Sequence, residues 1–116
     1  MVRSVVVSDE DVYEPHVTVQ CGEPVDLDVT TVPSPFIVVE VLLPSTKGID
    51  AGGKLYGYFQ VSSINHYLMV DPMKQVIFHH YRSDNGVHTV LINDGSVNLN
   101  PLGIEFSLAD CFRSLA

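Results

Sequence analysis

A chain of 116 residues suffices for one domain with a modest core, since a domain of this size buries roughly two thirds of the surface its unfolded form exposes. Hydrophobic residues make up 46% and charged residues 17%, and no stretch reaches the ~18 uninterrupted apolar residues of a membrane span, so a soluble protein with no membrane association is expected. Fourteen acidic against six basic residues leave a net charge of -8, which works against nonspecific affinity for a polyanion because phosphate binding is led by lysine and arginine.

The first segment, Val2 to Val7, reads as a strand. Its short apolar run is followed at once by Ser8-Asp9-Glu10-Asp11, where a signal peptide would continue towards a small-residue cleavage site. No export signal is read there, and a cytoplasmic location is expected. A second strand, His16 to Cys21, alternates His16, Thr18 and Gln20 with Val17, Val19 and Cys21. Gly22 to Pro35, with prolines at 24, 33 and 35, is a loop.

Phe36 to Leu42 is apolar except for Glu40 and has the character of a strand buried on both faces. An ionised carboxylate without a partner in that setting costs several kcal/mol, so Glu40 must be paired, hydrogen-bonded, protonated or bound to a metal. Pro44 stops the strand, and Ser45-Thr46 can cap a helix with Leu55, Tyr58 and Phe59 on one side. Gly52, Gly53 and Gly57 weaken this helix by about 1 kcal/mol each relative to alanine, so packing must hold it. Asn65 to Val70 is a strand closed by Asp71-Pro72, and Val76 to Arg82 with Val87 to Ile92 form a hairpin around Asp84-Asn85-Gly86. Ser107 and Asp110 suit the start of a short final helix. The order of elements predicts a single α/β domain over residues 1–116, built on a mixed sheet.

Several chemistries lack support. Cys21 and Cys111 form no CxxC pair and read as buried apolar fillers. No phosphate-binding glycine loop is present, so nucleotide cofactors are not expected. His79 and His80 are neighbours on a strand and face opposite ways, so they cannot share one ion; they, His66 and His88 read as solvated or hydrogen-bonded sheet histidines. A serine-histidine-acid triad would lack its nucleophile elbow.

Glu40 shares a face of its strand with Val38 and Leu42, and Lys54 follows on a helix that should pack back on the same sheet, within reach of the carboxylate. Asp50 and Lys54 stand at i, i+4, which as a surface pair is worth only a few tenths of a kcal/mol and explains both equally well. The His16 strand should neighbour the Glu40 strand. An acid, a lysine and another metal-capable side chain at one sheet edge are what metal-assisted phosphodiester hydrolysis requires: oxygen ligands hold the ion, which acidifies a bound water, and an ammonium orients that water or steadies developing charge.

Glu14-Pro15-His16-Val17-Thr18-Val19, then Val38-Val39-Glu40-Val41-Leu42-Leu43-Pro44-Ser45-Thr46, Asp50 and Lys54, Tyr56 to Phe59, His66-Tyr67-Leu68-Met69-Val70-Asp71-Pro72 and Leu102-Gly103-Ile104-Glu105-Phe106 occur in this order. Over nearly its whole length the chain thereby resembles the Uma-two type putative restriction endonuclease family, a branch of the PD-(D/E)XK nuclease superfamily. The resemblance implies that Glu40 is the second acidic metal ligand, the main-chain carbonyl of Val41 a third ligand, and Lys54 the lysine moved from strand to helix, with Asp50 beside it in the site. Leu42, where the superfamily pattern has lysine, is normal for this branch.

Two departures stand out. His16 occupies the position of the metal-binding aspartate, offering a neutral nitrogen that Mg²⁺ binds poorly and Mn²⁺ or Zn²⁺ tolerates. The family's N-terminal helix and following strands have no counterpart here, so the expected fold is a restriction-endonuclease-like mixed β-sheet flanked by helices but lacking them. A partly uncovered sheet would favour a homodimer or a covering partner chain. Three functions are open: a Mg²⁺- or Mn²⁺-dependent endonuclease acting on DNA, with an impaired site; an inactive nuclease-fold remnant that binds a partner; and a small α/β binding module with a solvated Lys54 and no ion at Glu40.

Overall fold

In chain order the elements are β1 (Val5–Val6), β2 (Val12–Tyr13), β3 (Val17–Gln20), β4 (Pro35–Val41), α1 (Ala51–Phe59), β5 (His66–Asp71), β6 (Val76–Ser83), β7 (Gly86–Ile92), β8 (Ser96–Leu99), β9 (Ile104–Ser107) and α2 (Leu108–Leu115). This computed structural model describes residues 5–6, 12–13, 17–20, 34–42 and 51–115. His16, Cys21, Ser45, Thr46 and Asp50 lie outside the described residues.

The central sheet runs β3-β4-β5-β6-β7, with β4 and β5 parallel and the other neighbours antiparallel. The mixed sheet expected from the sequence is therefore present, and the strand carrying Glu40 sits second in it. Parallel neighbours need a crossover, and α1 supplies it between β4 and β5. β1 pairs with β2, and β8 with β9, as separate two-stranded sheets.

Alternation along the strands sends side chains into two cores. On one face Val38 and Tyr67 pack with Val5, Tyr58 and Ile64 beneath α1. On the other, Ile37, Leu68, Val70 and Ile77 meet Val97 and Leu99 of β8 and Leu108 and Phe112 of α2. β4 is thus covered on both sides, as its near-continuous apolar run requires.

Local signals placed most boundaries. Asp71 Oδ1 accepts hydrogen bonds from the main-chain N–H of Met73 (3.0 Å) and Lys74 (3.1 Å), fixing the turn into β6. Asp84-Asn85 forms the two-residue turn between β6 and β7, and Gly86 takes φ +136°. Ser107 Oγ accepts from Asp110 N–H at 3.1 Å and caps α2. β2 and the β8–β9 hairpin are not among the elements expected from the sequence. The latter covers the second core, but its strands alternate over only four residues each, too short a run to declare itself by period.

Candidate active site

Glu40 stands near the end of β4, 7% exposed, on the face that α1 covers. Two residues of α1 reach it. Lys54 Nζ donates to Glu40 Oε1 at 3.1 Å, and the hydroxyl of Tyr58, fully buried, donates to the same oxygen at 2.6 Å. Lys54 and Tyr58 are one helical turn apart and so project from one side of α1. The tyrosine bond has the short length of a charge-assisted O–H···O⁻ contact. The expectation that Lys54 neutralises Glu40 is met, and a solvated Lys54, as a module with an accidental motif would have, is excluded. The sequence marks Tyr58 only as part of the apolar side of α1, and its i, i+4 relation to Lys54 is the signal for its second role.

The approach of α1 to β4 is set at the helix's far end. Arg82, on β6, donates through its guanidinium to the carbonyls of Phe59, Val61 and Ile64, each at 3.0 Å, and lies over the Phe59 ring at 5.2 Å. A cation here satisfies carbonyls left open at the C-terminal end of α1 and complements its dipole. Ser63 Oγ donates to Pro35 O at 2.6 Å, and Asn65 N–H to Phe36 O at 2.9 Å, tying the same turn to the start of β4. With one end fastened, Lys54 and Tyr58 fall over Glu40.

Among the described residues no three His, Cys, Asp or Glu side chains are grouped to hold a metal ion. His16 and Asp50, the other side chains expected at the site, lie outside the described residues. Glu40 and the main chain of Val41 offer oxygen donors, the type that suits Mg²⁺ or Mn²⁺.

A second polar site, the His66–His79 pair, occupies the opposite face. His66, His79 and His80 are buried, which corrects the solvated alternative for these three; His88 is exposed. His79 and His80 do face opposite ways, but the β5–β6 register brings His66 and His79 together, 2.8 Å between Nδ1 and Nε2. His66 Nε2 lies 2.5 Å from the carbonyl of Asn100, so it must donate. Neutral His66 then accepts at Nδ1 from the Nε2–H of His79. Burial lowers the pKa of all three, and His66 and His80 help push His79 down to about 4. The pair borders a cavity of about 350 Å³ with Tyr81, Asn98 and Asn100. Elsewhere, burial raises the Cys111 thiol pKa, consistent with its packing against the second core.

The sequence matches the Uma2 family, described as putative restriction endonuclease, over residues 3–111. The chain belongs to the Uma2 family. It is 32% identical over 114 residues to the uncharacterized protein slr1290 of Synechocystis sp., covering 96% of this chain and 60% of that protein. A solved putative nuclease belonging to DUF820, from Anabaena variabilis, shares the fold with a TM-score of 0.57 at 18% identity, over 74% of this chain and 48% of the other. The Uma2 chain described here thus spans 60% of the first relative and about half of the second. Its mixed sheet with two helices is a nuclease-like fold, and no helix among the described residues is long and apolar enough to cross a membrane.

Proposed function

We propose that this Uma2 chain is a metal-dependent endonuclease that hydrolyses DNA phosphodiester bonds, with Glu40 and Lys54 at the reacting centre. The observation that carries the reading is a carboxylate held inside the sheet at 3.1 Å from an ammonium delivered by the following helix. In the proposed site the Glu40 carboxylate, the Val41 carbonyl and His16 would hold Mg²⁺ or Mn²⁺, with Asp50 as a further candidate catalytic group. The ion, when bound, supplies acidification of a water and polarisation of the scissile phosphate. Lys54 orients the attacking water or steadies charge developing on phosphate oxygens, and Tyr58 holds Glu40 in one rotamer.

One feature supports a second reading, a nuclease-fold module that binds without cleaving. The chain carries a net charge of -8, and two of its six basic residues, Lys54 and Arg82, are engaged internally. DNA affinity must then come from the ion or from another chain.

Incubating supercoiled and linear DNA with the protein and Mg²⁺ or Mn²⁺ separates the two. Cleavage by the wild type is expected, stronger with Mn²⁺, falling by at least about a hundredfold in Glu40→Gln and rising with Mg²⁺ in His16→Asp. No cleavage by wild type or His16→Asp with either ion would establish the non-cleaving module.

A further inference from the structure

β7 is an edge strand of the central sheet and is exposed along nearly its whole length, with Val87 41%, Val90 43% and Leu91 56% accessible. Soluble proteins normally blunt such an edge with charge, proline or a bulge. β7 reads Gly-Val-His-Thr-Val-Leu-Ile, without a charged residue or a proline, and its register with β6 is unbroken. The opposite edge, β3, has four residues and a register shift between Val19 and Gln20. Among the described residues of the central sheet, β7 is the longer and more regular edge.

We propose that β7 is the interface of a homodimer, in which two copies pair antiparallel about a two-fold axis at Thr89. The hydrogen-bonding parity sets this register. A two-residue turn makes Ser83 and Gly86 the bonded pair, so bonded and non-bonded pairs alternate from there. Arg82, opposite Val87, sends its N–H to Asn65 O on the β5 side at 2.9 Å, as that alternation demands. Val87, Thr89 and Leu91 accordingly direct their main-chain N–H and C=O groups outward.

A two-fold at Thr89 pairs Thr89 with its copy and Val87 with Leu91 of the partner subunit, and every outward group finds a complement. The side chains of these pairs lie on the α1 face, giving Val–Leu and Thr–Thr cross-strand contacts. Beside Val87 opens a groove of about 360 Å³ lined by Leu55, Tyr56 and Phe59, and Tyr56 is 72% exposed. The absence of charged residues along β7 permits a second copy there. On a chain of net charge -8, two copies repel least along an uncharged strip. The product is a continuous ten-stranded sheet with both Glu40 side chains on one face. The dimer does not depend on the nuclease reading.

Sedimentation velocity at tens of micromolar tests it. Wild type is expected at twice the monomer mass. Val87→Lys and Leu91→Glu alone should each weaken association by at least about tenfold, and the double variant should recover most of it, since the two positions face one another across the axis. Ile104→Lys, at an exposed apolar site on β9, should leave the dimer intact. Hydrogen exchange on the wild type needs no variant: amides of Val87, Thr89 and Leu91 should gain protection with concentration, while His88 and Val90 stay protected throughout. A monomeric wild type overturns the proposal. So does a dimer that both single variants leave intact, that the double variant fails to restore, or whose outward amides exchange independently of concentration.

Discussion

The two faces of the central sheet bury polar side chains by opposite means. Beneath α1, Glu40 is accommodated by partners from one helix, with Lys54 and Tyr58 bonded to one of its oxygens. Under the β8–β9 hairpin and α2, His66 and His79 are accommodated as neutral rings that bond to each other and to Asn100. Charge inside a protein needs opposite charge and hydrogen bonds, whereas imidazole can shed its proton and remain polar without an ionic partner. The first solution ties a carboxylate to a cation and a hydroxyl from one helix. The second makes the fold sensitive to acid.

Acid gives the largest expected effect and acts on the histidine face. An unfolded histidine titrates near 6.5, while His79 in the fold is held at about 4. The folded pKa is the lower, so protons bind the unfolded chain first: stability is full above about pH 6.5 and declines as pH falls towards 4. His79 alone contributes on the order of 2–3 kcal/mol to that loss. Urea unfolding across this window measures it, and His79→Gln should flatten the slope. A midpoint independent of pH between 6.5 and 4.5 would show that these rings are open to water.

On the Glu40 face, Lys54→Met removes the cation and leaves the acid buried. Because the Lys54 side chain retains 23% exposure, the expected cost is about 2–3 kcal/mol, below that of a fully buried pair. Adding Glu40→Gln to Lys54→Met should recover part of the stability, since no uncompensated charge remains. If Lys54→Met unfolds at the wild-type urea concentration, the ion pair does not stabilise the fold.

The smallest effect is that of Tyr58→Phe. It deletes one charge-assisted hydrogen bond while keeping the ring against Tyr67, with centroids 4.9 Å apart, and should cost about 1–2 kcal/mol. Thermal unfolding at neutral pH reads it, and the difference from wild type should shrink in a Glu40→Leu background. A difference that persists unchanged would assign the loss to packing instead of to Glu40.

Residues in sequence order were enough to mark Glu40 as anomalous, to make Lys54 its partner, to place a hairpin around Asp84-Asn85-Gly86 and to start α2 after Ser107. Each of these depends on local rules: a strand's two-residue period, a helix's turn, a cap or a tight bend. The meeting of His66 with His79 required the register of β5 against β6, and the hydroxyl of Tyr58 required the angle at which α1 crosses β4. The exposed edge at β7 required the strand order of the whole sheet. Pairing register and strand order emerge from contacts between distant segments, because a strand's period constrains which face a residue takes but not which neighbour it meets.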